Sequence, residues 1–153
     1  MFKKLVELSK KELSDKKVFL RVDFNVPVKD GEIGEKYRIE SHHKDTIDFL
    51  LLRGAKVGLV SHIDGSFREI TSDIGEILGH QIIFEDDILN PQLKSQLTLF
   101  ENVRKYESEE INDSGFAEDL AKNFDIYVND AFSVSHRNHA SVSAITKFLP
   151  SYA

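Results

Sequence analysis

The sequence predicts an open, mainly parallel α/β sheet with helices on both faces, a Rossmann-like three-layer arrangement. Three observations predict it. Short runs rich in β-branched and aromatic residues alternate with segments of helical spacing along the whole chain. Several of these runs are apolar on both faces, as parallel strands covered on both sides are. No fixed-period repeat, low-complexity tract or Pro/Gly/Ser-rich linker divides the 153 residues, so residues 1–153 read as a single α/β domain with one core.

The elements follow in order. Lys17 to Leu20 opens a Val-Phe-Leu-Arg-Val run, which Asn25-Val-Pro27 ends because proline cannot donate to a central ladder. From Ser41 the spacing turns helical. Ile47, Leu50 and Leu51 share a face, Ser41 suits an N-cap and Gly54 a terminator, which predicts a helix of about three turns. Lys56 to Ser61 is the second strand, completing a βαβ unit. A helix over Ser72 to Leu78, strands at Gln81 to Phe84 and Leu97 to Phe100, and a helix marked by Phe116, Ala117, Leu120, Ala121 and Phe124 come next. Asp125 to Asn129 is the fifth strand, and Ser141 to Phe148 carries a last helical pattern. Leu149-Pro-Ser-Tyr-Ala153 follows it with no polar tail and reads as cut.

Composition narrows function by exclusion. A net charge of −6 argues for solubility and against non-specific nucleic-acid binding. No apolar run approaches the roughly 18 residues that cross a bilayer. The opening Met1-Phe-Lys-Lys-Leu-Val-Glu-Leu-Ser-Lys lacks the apolar region and cleavage site of a secretory signal, so a cytoplasmic location with neither nucleic-acid nor membrane partners is expected. With no cysteine there are no disulfides and no thiolate nucleophile. Gly-x-Gly-x-x-Gly after a strand, the Gly-x-x-x-x-Gly-Lys-Ser/Thr loop and the Gly-x-Ser-x-Gly elbow are all absent from the sequence, which therefore carries no recognisable nucleotide cradle.

Ligands of open parallel sheets bind beyond the carboxyl ends of the strands, where loops and helix N-termini converge. Arg21, Asp23 and Asn25 follow the first strand, His62 and Asp64 the second, Glu101, Asn102 and Arg104 the fourth, and Asn129, Asp130, His136, Arg137 and His139 the fifth. With Arg38 ahead of the first helix, this rim can gather four arginines and up to three histidines, suited to a small, multiply charged anion held by guanidinium forks. Each residue also has a plainer reading. A lone loop arginine is a solvated charge, His62 a satisfied structural histidine, His42-His43 an exposed pair, Glu107 to Asp113 a solvated acidic face, and Asp23 and Asn25 turn formers. His136 and His139 have a spacing open to a metal but lack an accompanying carboxylate set, and no metal site is expected.

Arg21-Val-Asp-Phe-Asn-Val-Pro27 resembles the first-strand signature of the phosphoglycerate kinases. The same family is matched by Arg38-Ile39, Ser61-His62, Glu101-Asn-Val-Arg104, Glu109-Glu110 with Asn112-Asp113, Tyr127-Val-Asn-Asp-Ala-Phe132, His136-Arg137 with His139-Ala-Ser141, and Phe148-Leu-Pro150, in the family's order over essentially the whole chain. The resemblance implies a cytosolic glycolytic enzyme of two α/β domains that moves a phosphoryl group between 1,3-bisphosphoglycerate and ADP. The chain corresponds to the N-terminal half, which holds 3-phosphoglycerate, while Mg-ATP or Mg-ADP belongs to a C-terminal nucleotide-binding domain and no cofactor to this chain alone. By resemblance, Asp23, Asn25, Arg38, His62, Arg104 and Arg137 bind substrate, Arg38 also stabilises the transferring phosphoryl group, and Arg21 shapes the patch without touching ligand. The half alone is expected to bind but not to turn over.

One departure stands out. Where the family has His-Leu-Gly-Arg-Pro, this sequence reads His62-Ile-Asp-Gly-Ser66, with Gly65 at the arginine position and Asp64 adding a negative charge. The loop and helix after it are shorter than usual, and Arg68 is placed to reach back. A charge-assisted hydrogen bond contributes about 1.5–3 kcal/mol, so the missing arginine weakens ligand binding by roughly one to two powers of ten. A non-catalytic domain that binds a phospho-ligand or a protein partner is the alternative reading.

Overall fold

The computed structural model describes residues 2–153. Its strands are β1 (Lys17–Arg21), β2 (Val28–Lys29), β3 (Glu32–Ile33), β4 (Lys56–Val60), β5 (Ile83–Glu85), β6 (Leu97–Phe100), β7 (Ile126–Asn129) and β8 (Ser151–Tyr152). The α-helices are α1 (Lys10–Leu13), α2 (Lys36–Leu52), α3 (Thr71–Leu78), α4 (Glu107–Glu110) and α5 (Ser114–Ala121), with 3₁₀ turns at Leu5–Glu7, Val103–Lys105, Phe132–Val134 and Ala144–Lys147. Six strands form one parallel sheet in the order β5-β6-β4-β1-β7-β8. Among the described residues, no helix is long and apolar enough to cross a membrane.

Alternation along β1 decides which layer each side chain joins. Val18 and Leu20 face the cluster built with Ile39, Ile47 and Leu50 of α2 and Ile74 and Leu78 of α3. Phe19 faces the opposite cluster with Phe116 and Leu120 of α5, Phe124, Tyr127 and Ile145. Helices therefore cover both faces, as the apolar runs predict. At Gly58 in β4 a Cβ would lie 2.8 Å from the Phe100 ring and 2.9 Å from that of Phe124, so only glycine lets those aromatics lie against the sheet.

Several boundaries differ from those the sequence predicts. Helix α2 begins at Lys36 rather than Ser41, entered through Glu35 in the left-handed region at φ 54°. Ser41 sits inside it and donates its hydroxyl to the Tyr37 carbonyl one turn back, so it is no cap. The other end agrees: Gly54, at φ 80°, donates to the Leu51 carbonyl. The pattern over Ser141 to Phe148 yields only the Ala144–Lys147 3₁₀ turn, because side chains from elsewhere take its backbone groups. Glu109 accepts from the Ser141 N–H at 2.7 Å, Asn112 from the Ala144 N–H at 3.0 Å, and the Tyr127 hydroxyl donates to the Ser141 carbonyl at 2.8 Å.

The strand expected from Gln81 starts at Ile83. Two features are additional. β2 and β3 form a hairpin across Asp30-Gly31, both at positive φ (52° and 77°), and the closing residues form β8 beside β7. The outer edge of β8 is taken by the chain's beginning, with Lys3 N–H donating to Ser151 O at 3.1 Å and Ala153 N–H to Lys3 O at 3.0 Å.

Candidate functional site

The carboxyl ends of β1, β4, β6 and β7 lie along one rim, and their loops build two connected sets of polar groups. The inner set is buried. Arg21, the last residue of β1, is fully inaccessible, and its guanidinium is used on every side. Nε donates to Ser141 Oγ at 2.9 Å, Nη1 to the Val22 carbonyl at 2.6 Å, and Nη2 lies 3.0 Å from His62 Nδ1. Ser141 in turn hydrogen-bonds through its hydroxyl to the Glu109 carboxylate, which is also wholly buried. The acidic run Glu107 to Asp113 is thus not simply a solvated face. It turns Glu109 inward to offset the Arg21 charge, while Asp113 caps α5 by accepting from the Phe116 N–H at 2.7 Å.

The outer set is carried by the loop after β1 and by α2. Asp23 Oδ2 accepts from Ser133 Oγ and, at 3.3 Å, from Arg38 Nη2, while Oδ1 accepts from the Asn25 N–H at 3.1 Å. Burial raises the Asp23 carboxyl, but the hydrogen bonds from Ser133 and Asn25, with the charge of Arg38, outweigh it and hold the group below its ordinary value. Arg38 Nη1 also donates to Glu35 at 3.0 Å and to the Asn25 carbonyl at 3.3 Å. Asn25 is exposed, and its backbone, not its amide, is what the loop ties down.

His42-His43 is not an exposed pair. His43, 1% exposed, points inward from α2 and donates from Nδ1 to Asp130 at 2.8 Å, while its Nε2 accepts the Asp23 N–H at 3.1 Å. It thereby clasps the loop after β1 to the loop after β7. Nothing in the spacing of His42 and His43 tells which one faces in; the stripe Ile39, His43, Ile47, Leu50 does, once the helix is seen to start early. A cleft of about 350 Å³ opens here, lined by Asp23, Arg38, His42, His43, Asp130, Phe132 and Ser133.

Between these sets lie His62, Arg104, Arg137 and His139. His62 is 3% exposed, and burial, reinforced by Arg21, Arg104 and Arg137 against the opposing charge of Asp23, pushes it down to about 3. Arg104 lies within the 3₁₀ turn Val103–Lys105, capped by Asn102, whose Oδ1 accepts the Arg104 N–H at 3.1 Å. Its Nε and Nη2 are buried without a hydrogen-bond partner among the described residues; the nearest carboxylate, of Glu110, is 3.6 Å from Nε. His139 Nδ1 is buried and unpartnered in the same way. Burial lowers His139 too, opposed by Glu109 and assisted by Arg104 and Arg137. Arg137 is exposed. No group of three or more metal-capable side chains gathers among the described residues.

The departure at Gly65 takes definite form. Asn102 Nδ2 donates to the carbonyls of Ile63 at 2.8 Å and Gly65 at 2.9 Å, and Glu101 accepts from the Phe67 N–H at 2.9 Å and from Ser66 Oγ. Gly65 sits at φ 117° with open space around its Cβ position, so a side chain there has room but meets backbone strain. Arg68 does not reach back to replace the missing cation: it pairs with Asp86 at 3.5 Å and lies over the Phe84 ring at 4.7 Å, on the edge strand.

The comparisons with known proteins agree on one family. The phosphoglycerate kinase family profile matches residues 8–153. A phosphoglycerate kinase of Bartonella bacilliformis is 43% identical over 163 aligned positions, covering 95% of this chain and 40% of the relative. One from Coprothermobacter proteolyticus is 39% identical over 98% of this chain and 42% of its own length. Solved phosphoglycerate kinases from Coxiella burnetii and Pyrococcus horikoshii superpose on 99% of the chain with TM-scores of 0.87 and 0.84, at 26% and 29% identity, over 41% and 42% of their own lengths. The chain thus spans about two-fifths of the relatives it matches. The sheet order, the rim and these matches over nearly every residue lead to the same conclusion: the chain belongs to the phosphoglycerate kinase family.

Proposed function

We propose that this chain is the substrate-binding half of a two-domain phosphoglycerate kinase, forming one α/β domain over residues 1–153 and working in the cytoplasm. It binds 3-phosphoglycerate or 1,3-bisphosphoglycerate through Asp23, Asn25, Arg38, His62, Arg104 and Arg137. The observation that carries this reading is Arg104. A guanidinium with two buried, unpartnered nitrogens, beside an equally unpartnered His139 Nδ1, is costly unless an anion satisfies it.

In this reading the rim aligns the ligand and surrounds it with positive charge, which is most of what phosphoryl transfer asks of a protein. Arg38 leaves its contacts with Asp23 and Glu35 to meet the transferring phosphoryl group. Mg-ATP or Mg-ADP, held by the C-terminal nucleotide-binding domain, supplies or accepts that group. Closure of the two domains then excludes water.

A second reading, a phospho-ligand-binding domain without turnover, is favoured by one observation: Gly65 leaves the rim a cation short and Arg68 is committed to Asp86. Calorimetric titration with 3-phosphoglycerate at low salt tests the binding claim. Saturable binding weakened tenfold or more by Arg38→Ala and by Arg104→Ala is expected. Absence of heat at millimolar ligand overturns it, and turnover after adding the nucleotide-binding half separates the two readings.

A further inference from the structure

We propose that Arg21 is a positioning residue for the anion site: from inside the sheet it fixes His62 as a neutral imidazole with its proton on Nε2, so that His62 meets a ligand as a hydrogen-bond donor and not as a titrating cation. The statement about the ring stands on the geometry alone. Its consequence for ligand rests on the function proposed above.

The direction of every proton in this network is forced. Glu109 is a carboxylate and accepts only, so the single hydroxyl proton of Ser141 goes to it, together with the Ser141 N–H at 2.7 Å. Ser141 Oγ is then left to accept, and Arg21 Nε donates to it at 2.9 Å. Arg21 Nη1 is spent on the Val22 carbonyl at 2.6 Å, so the guanidinium plane cannot turn. A guanidinium has five donors and no acceptor and keeps its charge. Its Nη2 lies 3.0 Å from His62 Nδ1, a distance that a hydrogen bond explains only if Nδ1 carries no proton. The ring is therefore neutral, with its N–H on Nε2, which has no protein partner among the described residues and is left for solvent or ligand.

The surroundings act in the same sense. The charged groups that bear on His62 are Arg21 from β1, Arg104 from the loop after β6, Arg137 from the loop after β7, and Asp23 from the loop after β1. Three cations against one carboxylate, in a ring almost wholly removed from water, oppose a second proton. His43 is held differently, by a carboxylate at Nδ1, 2.8 Å from Asp130, and by the Asp23 backbone at Nε2, 3.1 Å from its N and 3.2 Å from its O. The rim presents three arginine charges and one neutral donor.

The test is nitrogen NMR of the chain labelled in its histidine rings, with His62 assigned by loss of its signals in His62→Gln. The expected result is a pyridine-type Nδ1 and a pyrrole-type Nε2, unchanged from pH 5 to 8. A titration with a midpoint between 6 and 7, or a proton on Nδ1, overturns the proposal. In Arg21→Met the two tautomers should mix and the midpoint should rise into that range; a ring that keeps its Nε2 proton in the folded variant also overturns it. If that variant does not fold, the wild-type ring spectrum alone decides. Added 3-phosphoglycerate should shift the Nε2 proton and leave Nδ1 in place. No shift on addition, with the tautomer as expected, counts against the ligand and leaves the role of Arg21 standing.

Discussion

The inner and outer sets of the rim are built on opposite principles. Around Arg21, four side chains from four parts of the chain, Arg21, His62, Glu109 and Ser141, are buried and hydrogen-bonded in one connected set, so each is held in one geometry. Around Arg38, the contacts are longer and reach exposed groups: 3.3 Å to Asp23, 3.3 Å to the Asn25 carbonyl, and 3.0 Å to a Glu35 side chain 44% exposed. The lesson is a division of labour. The buried set sets the shape of the site and the direction of its protons, while the outer set holds its cation with weak, exchangeable partners that a more highly charged ligand can replace.

The largest effect expected from breaking this contrast is at Glu109. Glu109→Ala removes the buried counter-charge of Arg21, and leaving such a charge uncompensated costs about 3–5 kcal/mol, whereas Arg38→Ala changes stability by less than about 1 kcal/mol. Urea denaturation of the two variants makes the comparison directly, and equal losses would remove the distinction between the two sets. Next comes Arg104→Ala. It should weaken 3-phosphoglycerate binding by about ten- to a hundredfold, the worth of one charge-assisted hydrogen bond, with stability unchanged or slightly raised, because the buried nitrogens removed make no hydrogen bond among the described residues and only a 3.6 Å contact with the exposed Glu110. A clear fall in midpoint would show that Arg104 has a structural role.

A smaller effect is expected where the two sets join. His43→Leu breaks the bridge from Asp130 to the Asp23 N–H and should cost about 1–3 kcal/mol, with faster hydrogen exchange at the Asp23 amide; unchanged exchange there would mean that the clasp holds nothing. The gentlest probe is pH. His62 sits at about 3 in the fold and at its ordinary value when unfolded, so between pH 6.5 and 3 the unfolded chain binds the extra proton. Stability is therefore complete above about pH 6.5 and falls as pH drops toward 3, and Asp23, also held low, adds to the fall at its acid end. His62→Gln should make this acid limb shallower by less than one proton, leaving the neutral plateau in place; an unchanged limb in thermal melts would argue against it.

How much of this the sequence discloses depends on how local the deciding interactions are. The five sheet strands it predicts appear because apolar runs between turn residues suffice to mark buried parallel strands, and Gly54 ends α2 for a reason written into its own φ. The rim was legible as well, since strand ends place their loops together whatever the details. What escaped was set by distant partners. Nothing near Glu109 says that Ser141 and Arg21 will draw it inside, and nothing near Ser141 says that Glu109, Asn112 and Tyr127 will take the hydrogen bonds its helix needed. The hairpin was within reach, for Asp30-Gly31 is a strong turn signal. β8 was not, being two residues long and dependent on its neighbours.

The two-residue strand β8 bears on the order of events. β8 lies between β7 and residues 3–5, so residues 151–153 are gripped by residues about 150 positions earlier. Contacts so far apart in sequence carry the largest loop-closure entropy and tend to form late. During synthesis residues 3–5 must wait, unpaired, until the rest of this sequence has been made, while β1 and β4 can already pair. Closure of this edge is then a late step in building the sheet and among the first to reopen under stress, and amide exchange at Lys3 and Ala153 would report it long before the centre of the sheet gives way.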